Sequence, residues 1–337
     1  MRGFQRQKGA GNWGKANQDR WAEIRRGVKK GAVIMKKCRM GLAAAILAAS
    51  VTLTASAGYN LSEAGVISAQ MGESFRGKEA VLTQRYKEAY EWATRLHAQD
   101  AKDGLFDFGS SSEEGLHTWT GWNVDGTTRE IACQDFTGGN STAAGAFLYD
   151  DWSAILCSDP DTLNVVVVRD AAADFYVLGG GINNWMSGSP VTNQYWRIES
   201  GVPVLYQQFE NGYFRAEEGE SWYSNFHSKV DEGKDYIQPP QAPPAYGNIY
   251  AVNEDGCSWE NPKYIPTGSI VFVKEGDFSG DGLLDISDVM EMCKTLARKS
   301  AGQIPAMREL GGGDLDGDGD ITISDVMEVC KRLARRG

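Results

Sequence analysis

Apolar residues along this chain follow three patterns in succession. Residues 41–54 form an unbroken run of apolar and small side chains, Gly-Leu-Ala-Ala-Ala-Ile-Leu-Ala-Ala-Ser-Val-Thr-Leu-Thr. Between residues 77 and 99, Val81, Tyr86, Tyr90, Trp92, Ala93 and Leu96 recur at an imperfect helical spacing, which predicts a helix. Short strand-like runs and turns follow. Asn211-Gly212, between the runs 204–209 and 213–216, predicts a β-hairpin. Ser158-Asp159-Pro160 reads as a helix start and Gly179-Gly180-Gly181 as a stop, but Val165 to Val168 lie between them, so helix and strand both stand. The third pattern is periodic. Ile286, Val289, Met290, Cys293, Leu296 and Ala297 recur at i, i+3, i+4, i+7, i+10 and i+11. Ile323, Val326, Met327, Cys330, Leu333 and Ala334 repeat that spacing. Each set predicts an amphipathic helix with one apolar face that includes its cysteine as core filling.

The first run has the flanks of an export signal. Lys36-Lys37-Cys38-Arg39 precede it and Ala55-Ser56-Ala57 follow, the basic, apolar and small-residue order of a signal peptide. About fourteen apolar residues fall short of the roughly 20 that a spanning helix needs. A buried helix is the alternative. Residues 1–34 are polar and basic without periodicity, which suggests that the true start is Met35; a long basic leader is the other reading. Residues 1–57 are therefore expected to be a signal region, and the mature chain to be secreted, extracellular or held at a cell surface. No membrane span is expected after it.

Composition sharpens this. The 337 residues carry a net charge of −11, with twelve Lys and Arg against two Asp and Glu in residues 1–57. The rest is strongly acidic, which disfavours a nucleic-acid partner held through phosphates. Beyond the leader, Cys133, Cys157, Cys257, Cys293 and Cys330 make an odd set that cannot all pair internally. Export permits disulfides. A Cys133–Cys157 bridge is open, and nothing in the sequence argues for it.

A duplication dominates the C-terminus. Residues 276–299, GDFSGDGLLDISDVMEMCKTLARK, and 313–336, GDLDGDGDITISDVMEVCKRLARR, share sixteen of 24 positions. Each opens with a calcium loop. Ca²⁺ takes six to eight oxygen ligands, which a twelve-residue loop supplies from positions 1, 3, 5, 7, 9 and 12. In the first copy these are Asp277, Ser279, Asp281, the Leu283 carbonyl, Asp285 and Asp288. In the second they are Asp314, Asp316, Asp318, the Asp320 carbonyl, Thr322 and Asp325. Gly282 and Gly319 occupy the sharp turn at position 6, and two Ca²⁺ ions are expected. Ser279 is neutral where the second copy has Asp316, so the first loop is expected to bind more weakly.

Gly276 and Gly313 lead directly into the loops, and Gly311-Gly312-Gly313 argues against an entering helix. A duplicated loop–helix without entering helices, at the end of an exported chain, resembles a type I dockerin. The resemblance covers residues 276–337. It implies a small all-α module of two F-hand repeats that docks, with calcium, onto a cohesin module of a scaffoldin, as in cellulosomes. It also implies that Ile286, Ser287, Lys294 and Arg298, with Ile323, Ser324, Lys331 and Arg335, meet the cohesin. Ile286 and Ile323 depart from the hydroxyl pair common in that family. The near-identity of the copies would permit two docking orientations.

Residues 58–275 are what the module carries. Trp122-Asn-Val-Asp leads to Gln134-Asp135-Phe136-Thr-Gly-Gly139, and Trp196-Arg-Ile-Glu leads to Gln207-Gln208-Phe209-Glu-Asn-Gly212. The pattern reads as a repeated hairpin unit, with Phe as anchor and Gly in the turn. With Gly188-Ser189-Pro190 ahead of Tyr206-Gln207-Gln208-Phe209, it resembles the LGFP repeats of cell-wall-associated bacterial proteins. That resemblance implies contact with wall polysaccharide or peptidoglycan and brings no catalytic residues. The expected fold is therefore an α+β body of repeated hairpin and helix units followed by the dockerin.

Catalysis leaves little trace. No Ser, Cys or metal-hydrolase motif is present. A glycosidase needs only two suitably spaced carboxylates, and Glu130, Asp135, Asp150, Asp151, Asp174, Glu199 and Glu210 are undistinguished candidates. His97, His117 and His227 suit packing or surface roles. Trp119 and Trp122 flank Gly121 in what reads as a polar loop, the best candidates for stacking on a sugar ring. The sequence thus favours an exported, non-catalytic polysaccharide- or wall-binding component of a cellulosome-like complex. A carbohydrate-active hydrolase with unidentified carboxylates is the alternative.

Overall fold

The computed structural model describes residues 64–67, 69–103, 106–112, 114–122, 127–139, 152–178, 181–183, 187–217, 225–244 and 246–336. The leader expected over residues 1–57 lies outside them, as do Asp150 and Asp151 and the side chains of Trp152, Asp174, Trp185 and Trp222. Among the described residues no helix is long and apolar enough to cross a membrane.

The helix expected over 77–99 is α1, Glu79–Leu96. It buries Leu82, Tyr86, Ala89, Trp92, Ala93 and Leu96 along one face. The short α2, Ala98–Lys102, follows. An antiparallel sheet comes next, built from β1 (Ser110–Ser111), β2 (His117–Trp122), β3 (Thr128–Thr137), β4 (Trp152–Ser158) and β5 (Val165–Arg169). The Val165–Val168 run is thus a strand, and the helix α3, Asp170–Leu178, starts directly after it. The helix start expected at Ser158-Asp159-Pro160 is corrected: Ser158 ends β4, residues 160–162 form a turn, and the helix begins only at Asp170.

Side chains alternate across a strand, and here both faces are covered. Ala132, Phe136, Leu156, Val165 and Val167 join the α1 side chains in one core. Ile131, Cys133, Ile155, Cys157, Val166 and Val168 join Ala172, Phe175 and Tyr176 of α3 in a second. All of β5 is consequently buried. Tyr86 ties helix to sheet, its hydroxyl donating to the Ala132 carbonyl at 2.7 Å.

A second sheet follows. It comprises β6 (Tyr195–Glu199), β7 (Val202–Phe209), β8 (Gly212–Glu217), β9 (Phe226–Ser228), β10 (Ala251–Asn253), β11 (Cys257–Ser258) and β12 (Val271–Val273). Its order is β12-β10-β11-β6-β7-β8-β9, antiparallel except for β10 beside β12. The one-turn helix α4, Lys229–Glu232, follows β9 and is capped by the Ser228 hydroxyl. The hairpin at Asn211-Gly212 forms as expected, with Phe209 opposite Gly212. Residues 187–192 run beside its end: Asn211 N–H donates to the Ser187 carbonyl, Glu210 N–H to Ser189, and Val191 N–H to Gln208, each at 2.9 Å.

The two hairpin units are not structurally equivalent. Trp122 closes the β2–β3 pair opposite Thr128, whereas Trp196 stands opposite Leu205, well back from the turn. Phe136 enters the α1 core and Phe209 the α3 core. The repeat in sequence is therefore a repeat of local hairpin chemistry and not of position.

Three helices complete the chain: α5 (Ile286–Ser300), α6 (Met307–Gly313) and α7 (Ile323–Arg336). Leu284, Met292, Leu310, Ile321, Val326 and Val329 form their core. The expectation that no helix enters the second loop is corrected by α6, which runs through Gly311-Gly312-Gly313. The Phe278 ring explains Gly313: a Cβ there would lie 2.5 Å from it. The described residues from 64 to 336 belong to one compact unit. Met307 is buried in the α1 core, and its N–H donates to the Glu88 carboxylate at 3.0 Å.

Candidate functional site: paired acidic loops beside an exposed apolar stripe

The loops preceding α5 and α7 have the same internal wiring. Asp277 accepts from the N–H groups of Gly280 (2.8 Å), Asp281 (3.1 Å) and Gly282 (2.7 Å). Asp314 accepts from Gly317 (2.7 Å), Asp318 (3.1 Å) and Gly319 (2.8 Å). The carboxylate at position 12 closes each loop. Asp288 takes the N–H of Ser279 at 2.9 Å and of Asp285 at 2.8 Å. Asp325 takes those of Leu315 at 2.9 Å and Thr322 at 2.8 Å. Asp277, Asp288 and Asp325 are all buried.

This donor set suits a hard cation. In the second loop one carboxylate oxygen each from Asp314, Asp316 and Asp325 lie within 4.8 Å of one another. Such crowding of anions is costly without a positive charge. Burial, opposed by the loop N–H groups and reinforced by neighbouring carboxylates, pushes the carboxyls of Asp277 and Asp314 above their ordinary range. Among the described residues the first loop brings no comparable trio together. Asp281 accepts from Leu283 N–H at 2.8 Å, and Asp285 caps α5 through Ser287 N–H at 2.7 Å. Asp318 accepts from Asp320 N–H at 2.9 Å, while the Asp320 side chain is engaged by Lys299. Thr322 Oγ1 lies 3.1 Å from Asp325.

The helices do not turn their expected apolar face inward as a block. Val289, Met292 and Leu296 of α5, and Val326, Val329 and Leu333 of α7, line the small core. Ile286 and Met290 are 65% and 56% exposed, and Ile323 and Met327 are 63% and 55% exposed. Cys293 and Cys330 are exposed beside them, which corrects their reading as core filling. The same apolar stripe is thus presented twice. Lys294, Arg298, Lys331 and Arg335 are exposed on the same helices. Lys294 pairs with Glu291 at 2.5 Å, Lys331 with Glu328 at 3.3 Å, and Arg298 with Glu309. Ser287 is half-buried against Asp285, whereas Ser324 is exposed. Met290 and Met327 belong to this surface, although the sequence places them only in the apolar face of each helix and not among the partner contacts. Their i+4 spacing from Ile286 and Ile323 was the available signal.

The two tryptophans lie in β2 and not in a loop. Trp119 is half-buried against the α3 core, its ring 6.3 Å from that of Tyr176. Trp122, 68% exposed, projects from the opposite face, so the two cannot form one platform. The candidate carboxylates that are described serve the fold. Glu130 accepts from Ser74 N–H at 2.9 Å and Asp135 from the Ser112 hydroxyl at 2.8 Å. Glu199 pairs with Arg215 at 2.8 Å, and Glu210 with Arg129 at 3.1 Å. Compared with known proteins, the chain matches no family model, and neither the curated proteins nor the solved structures hold a match to it.

Proposed function

We propose that residues 276–336 are a calcium-dependent docking module of the dockerin type, and that the chain is an exported component delivered by it to a cohesin-like partner. The observation that carries the reading is the duplicated exposed stripe, Ile286, Met290 and Cys293 and again Ile323, Met327 and Cys330, each directly after an acidic loop. Large apolar side chains held at the surface in a regular row favour a protein interface. Calcium would neutralise the crowded carboxylates and fix the first turn of each helix, so the stripes would be presented only with the ion bound. On this reading the rest of the chain is the cargo, with Trp122 as its exposed aromatic for a wall or polysaccharide ligand.

Calorimetric titration of the full chain with Ca²⁺ should show two ions bound, the tighter lost in Asp314→Ala. Immobilised cohesin modules of several classes should capture the chain with Ca²⁺ and release it with EDTA. The double variant Ile286→Glu with Ile323→Glu should keep calcium binding and lose capture at least about a hundredfold. Absence of calcium binding would sink the reading outright. Calcium binding without capture by any cohesin would leave a calcium-stabilised module and discard the partner.

A further inference from the structure

The first sheet aligns three reactive side chains in one row. His117 of β2 stands opposite Cys133 of β3, and Cys133 stands opposite Cys157 of β4. Residues directly opposite in antiparallel strands have Cα atoms about 4.5–5.5 Å apart and point to the same face. A disulfide accepts Cα separations of about 4.4–6.8 Å, so the register meets the requirement. Both thiols are buried against α3. Cys133 Sγ lies 3.3 Å from His117 Nε2. His117 Nδ1 lies 2.9 Å from the Gly115 carbonyl, which can only accept; Nδ1 therefore carries the proton and Nε2 is the acceptor for the thiol. Glu114 lies 3.3 Å from Nε2, placed to hold the imidazolium that results.

We propose that Cys133 and Cys157 are a dithiol that closes to an intramolecular disulfide, with His117 taking the Cys133 proton. The oxidant is a small-molecule disulfide. Cys133 thiolate attacks one of its sulfurs, forming a mixed disulfide and expelling one thiolate. Cys157 loses its proton, its thiolate attacks the Cys133 sulfur, and the second small thiolate leaves. Two protein thiols are oxidised, one small disulfide is reduced to two thiols, and the two protons lost by the cysteines pass, through His117 or solvent, to the expelled thiolates. Among the described residues β2 pairs with β3 alone, so attack begins from this edge of the sheet. Burial makes the reaction slow unless that edge opens. The exposed Cys293 and Cys330 lie in separate helices and serve as internal controls.

The test treats the reduced full chain with oxidised glutathione under native conditions, then unfolds, alkylates and digests it with trypsin. Trypsin cuts after Arg129 and Arg169, and residues 130–168 contain no Lys or Arg, so both cysteines fall in one peptide. The expected product is that peptide two hydrogens lighter and unalkylated, while Cys293 and Cys330 carry glutathione or alkyl groups. The oxidised chain should melt higher by roughly 5–10 °C. Cys157→Ser should trap glutathione on Cys133, and His117→Ala should slow closure by at least about tenfold near neutral pH. A wild-type peptide alkylated at both cysteines after prolonged oxidation overturns the proposal whether or not any variant folds. Equal rates in His117→Ala and wild type overturn the role of His117.

Discussion

Among single residues, Glu260 has the least ordinary setting. It is buried in the turn after β11, where burial first and the Asp100 charge second push its carboxyl up to about 7. His97, facing Asp100 at 3.3 Å, is pushed the other way, to about 4, by burial and then by Arg169. The signs oppose. A carboxyl raised in the native state contributes stability below its unfolded pKa of about 4.3 and loses it as pH climbs through 7. A depressed histidine contributes above about 6.5 and loses it as pH falls through 4. Glu260→Gln should therefore raise stability by about 1–3 kcal/mol at pH 8 and change it little at pH 4, read by denaturant unfolding at the two pH values. Asp277, Gly282 and Asp288 could be placed from sequence because the repeated twelve-residue loop, closed by its own backbone hydrogen bonds, fixes their spacing. Glu260 could not, because the charges that act on it, Asp100 of α2 and Arg169 of β5, are distant in the chain.

For whole elements, period was legible and facing was not. The helical spacing of α5 and α7 is plain in the sequence, as is the hairpin at Asn211-Gly212. Which apolar row turns inward depends on what the helix meets. On α5 the buried face is completed by Asp288 and Thr295, polar residues engaged by the first loop and by Glu309. That inward polar row displaces Ile286, Met290 and Cys293 to the surface. Met292→Ala should cost about 2–5 kcal/mol, since the side chain is fully buried. Met290→Ala, two positions away, should stay within about 0.5 kcal/mol and weaken partner capture instead. Urea unfolding set beside a capture assay separates the two. Comparable destabilisation by both would mean that the stripe is core.

Over the whole molecule, the C-terminal helices are not an appendage. A separate module would melt on chelation and leave residues 58–275 folded. Met307 within the α1 core, and Glu88 holding its N–H across 219 positions of sequence, argue for shared stability. EDTA should therefore lower the melting temperature of the full chain as one transition, because an ion bound only to the native state stabilises everything that unfolds with it. Calorimetry showing an early, separate transition would refute this. No local pattern announces a contact between residues so far apart, which is why the sequence gives no sign of the tie between α1 and Met307. The two repeats are also cross-braced. Lys299 of the first helix reaches Asp320 and, at 3.2 Å, the Ile321 carbonyl of the second loop. Arg332 of the second helix pairs at 3.2 Å with Glu275, two residues ahead of Asp277. Each helix thus steadies the other repeat's acidic loop, and with calcium in both loops, as proposed, thermodynamic reciprocity would make the sites allosteric partners: whatever the first ion added to the affinity of the second, the second would return to the first.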